Sequence, residues 1–315
     1  MKKVVAIAAF VFGLSLTVNA QHPINSFFDD MGVIRLETQE LDQAADTLVT
    51  IAHRKEDVVW ARVVYSIIDM RFKQNFSLYF PTRSDDARYR ALFRVILDAL
   101  VEGMPIYEKN TELGNIKPVW SEQPLEPASI PTLTMVDDPN GTYADNHYDI
   151  ESSDDMLLHY DSASHTMTTN YYGYEDFVRN QLKYLVQEVI FFDRHTSRLY
   201  RKILAIAPLH TDKIQSFEPQ DVMNALSESI LFWIPFDALR PYLAKQYVIP
   251  SQNETKRVSF EEFFTKRMYT QYIVGEGNMY DRMILDYTQD ETEVKKEQAR
   301  IENELLTFEQ DLWEY

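Results

Sequence analysis

Residues 57–82 read DVVWARVVYSIIDMRFKQNFSLYFPT, and the way this run divides decides the fold. Val59, Val63 and Ile67 fall on one stripe at helical spacing, with Trp60, Val64 and Ile68 beside it and Asp57 placed to cap. The spacing predicts a buried helix over 59–68. From Phe76 to Phe80 the pattern becomes aromatic and extended, which predicts a strand closed by Pro81. Asp69, Arg71, Lys73 and Asn75 lie between the two. Arg71 at the exit of the first element can satisfy its last carbonyls, and Asp69 can pair with Arg71 or with a backbone group. No nucleophile or acid and base partner accompanies them, so they are expected to hold a corner of the fold.

Downstream, Ser84 with Asp85 and Asp86 marks a helix start, and Leu92, Phe93, Val95, Ile96, Ala99 and Leu100 supply its apolar face. Gly103 and Pro105 stop it. QLKYLVQEVIFFD at 181–193 and LYRKILAIAPL at 199–209 are β-rich runs separated by RHTSR, which predicts a β-hairpin that SILFWIPF at 229–236 can extend. Ser259 and Glu262 form a capping box for a helix carrying Phe260, Phe263, Phe264 and Met268, broken at Gly275 and Gly277. In the tail, 292–315, Ile301, Leu305, Phe308 and Leu312 draw one apolar stripe along a charged helix, the pattern of a helix that docks on a partner or on its parent domain.

The expected fold class is therefore α+β: a helix-strand-helix N-terminal unit and a small antiparallel β-sheet covered by C-terminal helices. The expected boundaries are a signal peptide at 1–20, an N-terminal leader at 21–56 with one helical patch from Leu41 to Ile51, an α+β domain at 57–290 and a charged amphipathic helix at 291–315. The signal peptide rests on Lys2 and Lys3, an apolar run from Val4 to Leu16 and Ala20 before Gln21.

The chain has no cysteine, which excludes disulfides, a thiol nucleophile, a thiolate metal site and a cysteine-linked lipid anchor. Its formal charge is −18, and loss of Lys2 and Lys3 with the leader brings it near −20. Such a surface repels nucleic acid and anionic lipid, and no segment after the leader has the roughly 20 apolar residues a membrane span needs. Residues 118–178 contain no lysine or arginine but twelve acids, an acidic insertion expected to be loop-rich.

Motifs for catalysis are missing. There is no HExxH, GxSxG, GxxxxGK[ST] or GxGxxG. His159, Asp161 and His165 could ligate a divalent ion, although plain solvated loop is the simpler reading. DDPNGTYADNHYDIE at 137–151 has the oxygen content of a calcium loop but not the glycine and glutamate placement of a hand-type site. A glycan hydrolase using paired carboxylates and a calcium-tuned binding module stay open as alternatives.

Trp60, Ile68, Asp69, Arg71, Asn75 and LYFP at 78–81 carry a resemblance to the gliding-motility protein N family (GldN, or PorN in the Por secretion system). EVIFFDRHTSRLYRKILAIAPL at 188–209, LFWIPFDALRPYLAK at 231–245 and KRVSFEEFFTKRMYTQYIVGEGNMYDRMILDY at 256–287 resemble further blocks of the same family, in the same order. The resemblance implies a non-enzymatic periplasmic subunit of the type IX secretion and gliding-motility machinery of Bacteroidetes, with no cofactor. It implies self-association in a ring with an outer-membrane lipoprotein of the GldK/PorK type, which holds the subunit peripherally at the outer membrane. It also implies a link to the inner-membrane motor through a GldM/PorM-type component.

Aromatic and arginine side chains commonly anchor such contacts. The candidates for the partner interface are Trp60, Arg71, Trp233 and Arg267, followed in the C-terminal region by Tyr280, Asp281, Arg282 and Trp313. For Trp60 and Trp233, which lie on apolar stripes, the hydrophobic core is the competing location.

Overall fold

The computed structural model describes residues 33–34, 47–48, 52–81, 90–108, 118, 124–125, 134–137, 157–161, 163–164, 166–169, 183–211, 228–248, 258–278, 282–288 and 290–312. The chain begins with a short antiparallel pair, β1 (Val33–Ile34) and β2 (His53–Arg54). It continues into the long strand β3 (Val58–Asp69), the single helical turn α1 (Phe76–Tyr79) and the helix α2 (Leu92–Val101). Within the acidic insertion, β4 (Thr134–Asp137), β5 (Leu158–Asp161) and β6 (Thr166–Thr169) make a three-stranded sheet. The hairpin strands are β7 (Lys183–Asp193) and β8 (Arg198–Thr211), followed by β9 (Glu228–Ile230) and β10 (Ile234–Pro235). Then come α3 (Phe236–Lys245), the pair β11 (Tyr247–Val248) and β12 (Val258–Ser259), α4 (Phe260–Thr265), β13 (Tyr272–Glu276), α5 (Ile284–Tyr287) and α6 (Glu291–Asp311).

The α+β class is as expected, with an antiparallel sheet in the order β10-β8-β7-β3-β13 and β9 added to the end of β8. Within it, the first two elements are interchanged relative to the sequence reading. Residues 58–69 are a strand, not a helix, because β3 lies between β7 and β13 and is buried on both faces from Val64 onward, apart from half-buried Ile67. A strand covered on both faces is apolar throughout, so its side-chain spacing fits a helical stripe equally well. Its β-branched and aromatic content was the better indicator.

Conversely, 76–79 is one turn of helix rather than a strand. Phe76 and Phe80 lie 4.5 Å apart ring to ring, a contact at the i, i+4 spacing that a helical turn provides.

The expected start of the next helix at Ser84 lies outside the described residues. Its end is as expected: Gly103 takes a left-handed φ of +90°, its N–H reaches the Leu100 carbonyl and the Met104 N–H reaches that of Ala99. That pair of bonds satisfies carbonyls that the helix leaves open, and glycine adopts the conformation without strain.

The hairpin is present in full, with β7 paired to β8 from Lys183↔Leu209 to Asp193↔Arg198 and a turn at 194–197. Of the run at 229–236, only its two ends pair with β8, and Phe236 already begins α3. Thr47 and Leu48, within the expected helical patch at 41–51, are not helical, and the rest of that patch is outside the described residues.

Two groups of helices cover the sheet. Ile68, Tyr184, Val186, Ile203 and Ile206 pack with α2, α3 and α4, while Val64, Ile190 and Ile273 pack with Ile284, Ile301 and Leu305 of α5 and α6. The apolar stripe of α6 is thus spent on its own domain. Phe308 stacks on Trp60 at 4.3 Å, and Gln298 donates to the Ile273 carbonyl at 2.8 Å, closing part of the exposed edge of β13.

The helix that begins at Phe260 ends at Thr265 and not at the glycines. Ser259 caps it by accepting the Glu262 N–H at 3.1 Å, as expected. Gly275 lies inside β13, where the chain bridges to Met283 and a Cβ would collide with the Met283 sulfur.

Candidate interaction surface

Four carboxylates are buried among the described residues, Asp69, Glu188, Asp193 and Glu261, and each is held by its own cationic or imidazole partner. Ionised carboxylates are costly to bury alone, so these pairs identify where the fold is braced.

At the end of β3, Asp69 takes the Arg71 backbone N–H at 2.9 Å and the guanidinium at 2.5 to 3.0 Å. Burial alone would raise the Asp69 carboxyl, but these bonds outweigh it and hold the group below its usual range. Asn75, fully buried, donates to the carbonyls of Asp69 (2.8 Å) and Thr270 (2.7 Å) and accepts the Thr270 N–H at 2.8 Å. The corner expected from sequence is real, and it joins two segments 195 residues apart.

Next along the sheet, Glu188 of β7 receives both arms of Arg267 at 2.7 and 3.0 Å, the Tyr269 hydroxyl at 3.1 Å and Gln271 at 3.1 Å. Burial and the adjacent Glu188 charge push the Tyr269 hydroxyl up, so it stays protonated and donates.

At the hairpin turn, Asp193 accepts the N–H of His195 at 2.8 Å with one oxygen and meets Nδ1 of buried His53 at 2.5 Å with the other. Burial would again raise its carboxyl, and the bonds from His53, His195 and Thr196 lower it instead. The fourth carboxylate, Glu261, accepts from Arg240 at 2.8 Å and from the Leu48 N–H at 3.1 Å, while Arg240 donates to the Leu48 carbonyl at 2.5 Å. This pair clamps Leu48 by both its backbone N–H and its carbonyl.

The sequence-derived candidates separate into distinct places. Trp60 is half-buried under Phe308, and Trp233 is fully buried, its backbone exchanging bonds of 2.7 and 2.8 Å with Tyr107. Trp233 is therefore a core residue in this chain. Arg71 grips Asp69 with its side chain 65% exposed, whereas Arg267 faces inward to Glu188. Arg282 is exposed, and its N–H and carbonyl are both bonded by the Asn278 side chain. Tyr280, Asp281 and Trp313 lie outside the described residues.

Glu188, Tyr269, Gln271 and the Arg240–Glu261 clamp were not singled out from sequence. Their partners are too distant in the chain for spacing to reveal them, although Asp193 ahead of RHTS is a local turn signal.

In the acidic insertion, Asp161 accepts from the Ala163 N–H and the Ser164 hydroxyl at 2.9 and 2.6 Å, so it caps its own turn. His165 and residues 138–151 of the calcium-like run are outside the described residues. No three metal-ligating side chains converge among the described residues, and no helix among them is long and apolar enough to cross a membrane.

With this geometry in place, the family model for the gliding motility associated protein GldN matches residues 53–314. The chain belongs to the GldN family. The match starts at His53, which bonds Asp193, and runs through α6, so the four buried carboxylates and the docked C-terminal helix fall inside the GldN region, while Leu48, the residue held by Arg240 and Glu261, lies just before it. GldN membership makes this chain a component of the gliding-motility and type IX secretion machinery, in a family of structural components rather than a known enzyme family. Comparison with curated proteins gives no match.

Proposed function

We propose that the chain is a non-enzymatic assembly subunit of the type IX secretion machinery. It works in the periplasm, is held at the outer membrane by a lipoprotein of the GldK/PorK type, associates with copies of itself in a ring and connects to a GldM/PorM-type motor component. The observation that carries this reading is the use of the four buried carboxylates. Each is saturated by a cation, an imidazole or backbone N–H groups; Glu188, Asp193 and Glu261 join segments distant in sequence, and Asp69 locks Arg71 at the corner that Asn75 ties to Thr270, which is the arrangement of a brace. A glycan hydrolase needs one carboxyl raised and aimed at substrate, whereas Asp69 and Asp193 are both lowered.

The test is recovery of the tagged full chain from envelope membranes, with mass spectrometry of its companions. Lipoprotein and motor components recovered with it support the assembly reading. Recovery of the chain alone, with those components present in the input, overturns it.

A further inference from the structure

Ile301 and Leu305 of the α6 stripe are buried against the chain itself and Phe308 stacks on Trp60, and a further exposed apolar surface lies elsewhere. Phe72, Phe76 and Met268 are exposed to 44%, 52% and 36%. They sit on two loops that are tied together. Gln74 donates to the Met268 carbonyl at 3.3 Å, Thr270 donates its hydroxyl to Gln74 at 2.7 Å, and Asn75 is bonded to Thr270 at both its amide atoms. Phe76 also packs on Phe80, which is itself partly exposed.

Solvated aromatic side chains gain free energy on being covered, and a surface already fixed by buried hydrogen bonds loses little entropy when it binds. The same two loops carry the exposed cations Arg71, Lys73 and Lys266. The nearby carboxylates Asp69 and Glu262 are engaged by Arg71 and Lys266. These two pairs balance, so among the described residues Lys73 is the one excess positive charge of this aromatic corner, on a chain of formal charge −18.

We propose that this corner docks a polypeptide segment of a partner protein in which acidic residues flank apolar anchors. Lys73 faces the acidic residues, beside the paired Arg71 and Lys266, and Phe72, Phe76 and Met268 take the apolar ones. A bilayer fits less well. An anionic lipid plane brings the whole acidic surface within the roughly 10 Å over which charges act in 0.1 M salt, whereas a short segment meets mainly the local cations. The inference rests on the assembly reading above and names a surface for it.

The test uses the purified full chain and a fluorescein-labelled peptide in which glutamates flank a central Leu-Phe pair. Controls are the same peptide with lysine for glutamate, and phosphatidylglycerol vesicles. The wild-type chain should bind the acidic peptide in preference to both controls, more weakly at high salt. Phe76→Ser with Lys73→Glu should weaken binding by about tenfold or more while leaving thermal unfolding unchanged. Equal binding of acidic and basic peptides, equal binding by the double variant, or a preference for vesicles overturns the proposal. A chain that recovers its companions from envelopes but shows no peptide preference loses this surface and keeps the assembly reading.

Discussion

Arg267 reaches Glu188 with both arms of its guanidinium, at 2.7 and 3.0 Å, across 79 residues of sequence. Arg267 does so from a left-handed backbone conformation, φ +53°, at the end of α4. Its N–H bonds the Phe264 carbonyl and the Met268 N–H bonds that of Phe263, the hydrogen bonds of a helix end that usually carries glycine. An arginine there costs roughly 1 kcal/mol of backbone strain relative to glycine, and the buried Glu188 explains why the position nonetheless carries a cation.

Arg267→Ala should therefore destabilise the chain by about 3 kcal/mol, since it leaves the Glu188 carboxylate buried without its cation. Arg267→Gly should be less harmful by about 1 kcal/mol because it relieves the backbone. Urea unfolding of the two variants distinguishes these contributions. A glycine variant no better than alanine would show that the left-handed conformation is not retained.

Asn75→Asp is nearly isosteric but cannot donate to the Asp69 and Thr270 carbonyls, and it places a second carboxylate beside Asp69. It should cost about 3 kcal/mol and raise the exchange rate of the Thr270 amide. Wild-type stability in this variant would mean that the corner is not held by Asn75.

The pH dependence follows from Asp69 and Asp193, whose folded-state values lie below the ordinary 3.8. Their contribution is complete above that value and is lost as pH falls through the depressed folded values. Urea midpoints should fall in this acid range, and Asp193→Asn should make the fall shallower while lowering stability at neutral pH. An acid limb as steep in the variant as in the parent would remove Asp193 from the account.

For α6, Ile301→Ala should cost about 3 kcal/mol, as for other fully buried aliphatic side chains. Phe308→Ala should shift the emission of Trp60 toward that of a solvated indole. Hydrogen bonding to Arg300 holds the Glu304 carboxyl below its usual range, but this pair is exposed, so added salt should matter far less than Ile301. Unchanged stability in Ile301→Ala would mean that the helix is not docked in solution.

Glu261→Ala removes the acceptor for the Leu48 N–H. The Leu48 amide should then exchange at least tenfold faster, which corresponds to about 1.4 kcal/mol. Unaltered exchange would show that the leader is held by something other than the clamp.

Local chemistry settled a definite part of this structure. The β7–β8 hairpin, the Gly103 helix stop, the Ser259 cap, the stripe of α6 and the Asp69–Arg71 corner each depend on residues a few positions apart, where spacing and turn preference act directly. The run at 57–82 could not be resolved in that way. Val58–Asp69 is a strand because β7 and β13 flank it and helices cover it, and a segment apolar on every side presents the same pattern in either conformation. Glu188 with Arg267, His53 with Asp193 and Glu261 with Arg240 and Leu48 came from tertiary structure alone. Buried charges require partners, but nothing in the chain order says which distant residue the fold will bring to them.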